Sequence, residues 1–190
     1  MATVTLVDPI DISARTLSGF RMATRQKDTD HRRLTLIDNG KPKARELLVM
    51  VAQNLALQWL DCEVSVHEKA SASSVLSAQA ISDIVDSADL VIAGLGDCGA
   101  CSACSLNDVL LLEQAGIPAT VIISDAFTSH IAALSANLGA PAYPIAVVPH
   151  PVSSKNDEQL AQYAAAITAM VAKQLTESSS DSAAASARSA

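Results

Sequence analysis

The sequence predicts an α/β protein: a three-layer α/β/α sandwich around a mainly parallel, five-stranded sheet. Three observations carry this. After residue 30, five short β-type runs alternate with five helical stretches, the order from which right-handed strand–helix–strand crossovers are built. The third, fourth and fifth runs are almost continuously apolar, as strands covered on both faces are. Apolar residues make up 49% of the 190 residues but aromatics only 3%, so the layers must be filled by Ala, Val, Leu and Ile.

Taken in order, the first run is 34–37 (Leu-Thr-Leu-Ile). The helix predicted over 43–59 follows, with Leu47, Leu48, Val51, Leu55 and Trp59 at helical spacing. The second run, 63–66, leads into a helix over 74–87 carrying Val75, Leu76, Ile81, Ile84 and Val85. The third run, 90–93, precedes a helix over 105–115, in which Leu106, Val109 and Leu110 face inward and Glu113 faces away. The fourth run is 119–123 and its helix 126–138. The fifth is 145–148 and its helix 156–176, with Leu160, Ile167, Met170, Val171 and Leu175. Gly116 then Pro118, and Gly139 then Pro141, punctuate helix ends. A sheet of this kind is flavodoxin-like or Rossmann-like. Residues 1–30 form a basic N-terminal arm and residues 31–176 a single α/β domain. Residues 177–190 hold six Ser and five Ala and are predicted to be a disordered tail.

The net charge of −7 argues against nucleic acid as a partner. Residues 1–45 carry nine Lys/Arg against five Asp/Glu, and the remainder four against fifteen. The basic head (Arg15, Arg21, Arg25, Arg32, Arg33) reads first as a solvated arm, and second as a surface for an anionic ligand or an acidic partner. No apolar run reaches the roughly 18 residues of a membrane span. Asp8 and Asp11 interrupt the place of a signal-peptide core. The expectation is a cytoplasmic protein with no membrane partner, acting alone, as a homo-oligomer or with a partner subunit.

Ligands of open α/β sheets bind beyond the carboxyl ends of the strands, where the strand order reverses. The unusual residues of this chain fall on that edge. Three of its four cysteines lie within seven residues, as Cys98-x-x-Cys101-x-x-Cys104. Gly94, Gly96 and Gly99 let backbone amides approach a ligand there. A helix starting near Cys101 or Ser102 would favour a thiolate through its N-terminal dipole. In a Cys-x-x-Cys pair one sulfur attacks and the other resolves the adduct. Cys104 is an alternative resolving thiol, a metal ligand, or packing at the helix start. A metal reading needs a fourth ligand, for which His150 serves better than Cys62, placed at the opposite edge. A stable structural disulfide is not expected in a cytosolic chain.

His150 stands between Pro149 and Pro151, where it would serve as general acid/base or as the partner of a thiolate. His31, His67 and His130 read as structural or solvated. Asn39-Gly40-Lys41-Pro42 reads as a turn opening a helix, with Pro42 at the first helical position and Lys41 placed to bind a carboxylate or phosphate. Asp97 would hold a loop amide or carry a proton. Asp125 ends the fourth strand and would cap the next helix. The motifs are read as holding no Walker loop, no Gly-x-Gly-x-x-Gly and no hydrolase Ser elbow; nucleotide binding gains no support and no cofactor is expected.

The strings Leu36-Ile37-Asp38-Asn39-Gly40-Lys41-Pro42, Gly94-Leu95-Gly96-Asp97-Cys98-Gly99-Ala100-Cys101, Glu113-Gln114-Ala115-Gly116-Ile117-Pro118 and Val147-Val148-Pro149-His150-Pro151 together resemble the UGSC family of selenoproteins and their cysteine homologues, over about residues 4–154. That family is similar to the selenoprotein B subunits of glycine, sarcosine and betaine reductases. The resemblance puts Cys98 at the selenocysteine position and Cys101 at the motif cysteine. It matches Asn39, Gly40, Lys41 and Pro42 to the Asn-Gly-Lys-Pro turn, and His150 to the histidine of the closing Pro-His-Pro. Ala100 stands in place of the motif Ser, and Cys104 is an added thiol. The reductase relatives imply reductive cleavage next to a carboxylate or similarly activated carbon, inside multi-subunit complexes.

Three functions are compatible with these residues. The first is a thiol-dependent redox enzyme acting on a small, anionic organic substrate. Its nucleophile is Cys98 and its resolving thiol Cys101. His150 moves the proton, while Lys41, Asn39, Gly40, Gly96, Asp97, Gly99 and Asp125 bind substrate. An external thiol or reductase restores the pair. The second is a soft-metal or organometal carrier or lyase using Cys98, Cys101 and Cys104. The third is a non-catalytic subunit of a multi-chain reductase.

Overall fold

The computed structural model describes residues 19–26, 31–59 and 61–177. The expectations for residues 1–18 and 178–190 lie outside the described residues. Five strands, β1 (Arg32–Asp38), β2 (Cys62–Glu68), β3 (Leu90–Gly96), β4 (Ala119–Ser124) and β5 (Ala146–Val148), form one sheet in the order β2-β1-β3-β4-β5, every pair parallel. This is the doubly wound order of flavodoxin-like folds, whose direction reverses between β1 and β3.

Helices α1 (Ala44–Ala56) and α5 (Asp157–Thr176) cover one face. Leu47, Leu48, Val51 and Leu55 of α1 meet Leu160, Ala164, Ile167 and Val171 of α5 over Leu34, Leu36 and Ile92 of the sheet. On the other face α2 (Ala78–Ser87), α3 (Gly99–Gln114) and α4 (Thr128–Asn137) lie over Ile37, Val91, Ala93, Val121 and Ile123. The α/β/α sandwich follows from the alternation of elements, and the aliphatic composition fills both layers. Strands β3 and β4 are buried at every position. Edge strand β2 is half-buried or exposed throughout.

Several boundaries differ from expectation, each for a local reason. The turn after β1 does not open directly into a helix. The Ala44 N–H donates to Lys41 O at 3.0 Å, closing a turn with Pro42 second and Lys43, at φ 69° and ψ 5°, third. That is type II geometry, so Pro42 precedes the helix and α1 begins two residues after it. Helix α2 starts at Ala78 because Ser77 caps it, its hydroxyl accepting the Ala80 N–H at 3.1 Å. Helix α3 starts six residues earlier than expected and takes in Cys101 and Cys104, with Cys98 as its cap. Asn156 and Gln159 form a reciprocal capping box that fixes the start of α5. His67 lies within β2 rather than after it.

Glu113 does not face away. It is 1% exposed and accepts from the Arg25 guanidinium at 2.7 Å, the Ala119 N–H at 2.9 Å and the Tyr143 hydroxyl at 3.2 Å. The Ala23 N–H donates to it as well. A buried carboxylate is tolerated when this many donors surround it. Its charge, with burial, pushes the Tyr143 phenol far above its ordinary range. The Arg25 part of the basic head is therefore packed rather than solvated, its side chain 2% exposed. Arg33 pairs with Asp89 at 2.8 Å, and Arg32 lies 4.9 Å over the Trp59 ring. Asp108, deeper in α3, is matched in the same way by Lys69 and by the Leu76 N–H at 2.7 Å.

Candidate functional site at the switch point

The loops after β1 and β3 flank the point where the sheet reverses, and Asn39 ties them together. Its backbone N–H donates to Gly94 O at 3.0 Å, and its side-chain amide donates to Leu95 O at 3.0 Å and Ser105 Oγ at 3.2 Å. Its side-chain oxygen accepts the Lys41 N–H at 3.2 Å. Asn39 is 1% exposed. The Gly40 N–H is taken by Asp38 Oδ1 at 2.9 Å, and Gly40, at φ +74°, allows that tight return. The Asn39 and Gly40 amides, expected to bind substrate, are thus already engaged within the protein. Lys41 keeps its ammonium without a hydrogen bond or ion pair among the described residues, whereas Lys43 meets Glu46 at 3.3 Å and Asp157 at 3.4 Å.

Strand β3 runs through Gly96, and Cys98 is the N-cap of α3. Gly96 is required sterically. A Cβ there would collide with Ile123 Cδ1 and lie 2.8 Å from Ser102 Oγ and 3.2 Å from Ser102 Cα. The close seat of the first turn of α3 on β4 depends on it. The expectation that the chain holds no Gly-x-Gly-x-x-Gly is wrong: Gly94, Gly96 and Gly99 have that spacing, the dinucleotide fingerprint. Two of those glycines lie inside the strand, however, and Gly96 serves packing, so the phosphate turn that the fingerprint builds is not formed.

Cys98 and Cys101 form a disulfide with Cα atoms 5.5 Å apart, inside the span that a bridge requires. The two sulfurs meet because the helix start sets residues i and i+3 side by side. A bridge across so short a loop adds little constraint to the unfolded chain. Cys98 Sγ accepts the Cys101 N–H at 3.2 Å, and Cys98 O accepts from Ser102 Oγ at 2.6 Å. Cys98 is half-buried and Cys101 fully buried. The Gly99 and Ala100 N–H groups of the first helical turn have no acceptor among the described residues. Cys104 is a free thiol one turn further, half-buried. Cys62 opens β2 at the opposite edge, where burial raises its thiol above the ordinary range against the lowering pull of Arg32. Among the described residues, no group of three or more His, Cys, Asp or Glu side chains is placed to hold a metal ion.

His150 is fixed from several sides. Its Nδ1 lies 2.8 Å from Asp97 Oδ1 and 3.2 Å from Ser124 Oγ, and its backbone N–H donates to Asp125 Oδ1 at 3.0 Å. The Phe127 ring meets the imidazole edge to face, centroids 5.6 Å apart. Asp97 Oδ2 accepts the N–H groups of Val152 at 3.1 Å and Ser153 at 3.4 Å. Ser124 Oγ also donates to Gly96 O at 3.2 Å. Asp97 therefore hangs the His150 loop on the residue before Cys98. Asp125 holds that loop as well, instead of capping a helix; a short 3-10 turn at Asp125–Phe127 follows β4, with no side-chain cap. With Nδ1 directed at a carboxylate, Nε2 is the ring nitrogen left for a ligand. Ser124, Ser102 and Ser105 are missed because single serines carry no motif.

Together these features define a doubly wound α/β protein with a dithiol and an Asp–His pair at the switch point of its sheet. The sequence matches the model of the UGSC family over residues 5–177, and the chain belongs to that family. No curated protein matches it. Among solved structures, the flavodoxin-like domain of a Synechococcus sp. protein is similar at 13% identity and a TM-score of 0.37, over 74% of this chain and 99% of that one. Among the described residues no helix is long and apolar enough to cross a membrane. Two cavities, of about 640 Å³ beside Phe20, Tyr143 and Met170 and about 330 Å³ beside Arg32, Asp89 and Pro118, lie at the amino end of the strands, away from Cys98.

Proposed function

We propose that the chain is a thiol-dependent redox enzyme that uses the Cys98/Cys101 pair on a small, anionic organic substrate. The observation that carries this is the meeting of the two sulfurs at the N-terminus of α3, with the Asp97–His150 pair anchored next to them. Cys98 is the more exposed sulfur and the helix cap, so it is the nucleophile; Cys101, buried beneath it, is the resolving thiol.

In the reducing direction the Cys98 thiolate attacks a substrate R–X. The bond from sulfur to R forms, the bond to X breaks, and X leaves with the electron pair and a proton from His150. The Cys101 thiol then loses its proton and attacks the Cys98 sulfur. A disulfide forms and R leaves with the pair of electrons and a proton. The two thiols supply both electrons, and an external dithiol restores them by two exchange steps. Lys41 and the open amides of Gly99 and Ala100 attract the anionic group. The reductases that the family resembles suggest an R activated by a neighbouring carboxylate.

Trapping tests this. Reduced Cys101→Ser protein, incubated with a small aromatic disulfide, is expected to accumulate one mixed disulfide at Cys98, while the wild type releases the second thiol and ends as the Cys98–Cys101 disulfide. A Cys98→Ser variant that consumes the reagent as fast as wild type overturns the proposal.

A further inference from the structure

Among the described residues, no strand lies beyond β2. It is the outer strand, both its faces are open, and Val64 and Val66 are each 41% exposed. It holds no proline and no register shift against β1, two of the devices by which edge strands are blunted. The Arg32 N–H donates to Asp61 O at 3.1 Å and the Lys69 N–H to Asp38 O at 2.8 Å. In a parallel ladder of this register the odd-numbered residues of β2 turn their backbone groups to β1. Cys62, Val64, Val66 and Glu68 therefore direct theirs outward.

We propose that this edge pairs with the same edge of a second copy of the chain, antiparallel about a two-fold axis at Ser65. Three registers match the outward-directed groups and pair at least five residues of each strand. Centring on Val64 or on Val66 leaves Glu63 opposite Ser65 or Lys69, and Lys69 is already buried against Asp108. Centring on Ser65 sets Val64 against Val66, each pair exchanging both backbone bonds, and sets Glu63 against His67 twice across the axis. The Glu63 and His67 side chains make no hydrogen bond or salt bridge with the described residues; Arg33 and Asp108 act on them only at longer range. The strand is thus self-complementary in apolar contact and in polar pairing, as an isologous interface requires. The result is one continuous ten-stranded sheet in which β1 separates the paired edge from β3 and Cys98, and the pairing uses no residue of the redox reading.

Sedimentation of the full chain over a range of concentrations is expected to show a dimer. Glu63→Lys, which sets two donor groups opposite one another, and His67→Glu, which sets two carboxylates opposite one another, should each weaken it about tenfold. The double variant, which restores opposite charges, should recover most of that loss. Ser65→Cys should give a covalent dimer on mild oxidation where wild type does not. A monomer at all concentrations overturns the proposal, and one whose β2 amides resist hydrogen exchange shows another segment of the chain on the edge. A dimer indifferent to the charge variants overturns it as well.

Discussion

The Asp97 carboxylate grips the His150 ring at 2.8 Å with one oxygen and the backbone of Val152 and Ser153 with the other. One side chain therefore sets both the orientation of the imidazole and the path of the loop that carries it. Asp97→Ala leaves those N–H groups without their acceptor, at a cost of about 1–3 kcal/mol. Asp97→Asn keeps the shape but lets an amide face Nδ1. It is expected to slow proton-dependent turnover by about 10²-fold or more while changing stability less. Urea unfolding and the rate of exchange with a small disulfide separate the two effects.

Gly96→Ala is expected to destabilise the fold by about 1–3 kcal/mol, because the added methyl meets Ile123 and Ser102. Gly99→Ala, at a position with open space around it, is expected to be nearly neutral. Thermal unfolding of both variants checks this, and equal losses would refute the packing role of Gly96.

Arg25→Met removes the cation facing the fully buried Glu113. A buried carboxylate left without its partner costs about 3–5 kcal/mol. Tyr143→Phe removes one hydroxyl donor of several and should cost about 1 kcal/mol. The order of the two losses, read from denaturant midpoints, tests whether residues 19–26 are integral to the domain.

Burial pushes the Asp108 carboxyl above its ordinary range, against the opposite pull of the Lys69 ammonium and the Leu76 N–H. A carboxyl raised on folding favours the folded state below its unfolded pKa, and that contribution is lost as pH rises through the folded value. Lys69→Met leaves the buried charge unmatched at neutrality and is expected to cost about 3–5 kcal/mol there. The deficit should shrink as acid protonates Asp108. Unfolding at pH 7 and pH 4.5 measures it; a deficit independent of pH would mean that Asp108 is not charged in the fold.

The fold was legible because its signals are local and repeated. Buried strands such as β3 read as apolar runs, and the α1 and α5 stripes have clear periods. The site was legible as loops, since the cysteine spacing and the Pro-His-Pro survive without coordinates. What escaped depends on partners distant in sequence. Glu113 looks like a surface residue until Arg25, 88 positions away, is set against it. Asn39 looks like a substrate ligand until Leu95 and Ser105 take up its amide. The early start of α3 was hidden because the first turn is made of Gly, Ala, Cys and Ser, which carry no apolar stripe.

The account rests on Cys98 and Cys101 acting as one reversible two-electron couple. Equilibrating the full chain against mixtures of reduced and oxidised glutathione, then quenching and counting thiols by peptide mass, measures this directly. The account predicts that Cys98 and Cys101 lose their thiols together along a single two-electron curve, while Cys62 and Cys104 stay free. Thiols lost one at a time as glutathione adducts, or a couple formed through Cys104 in place of Cys101, would contradict it.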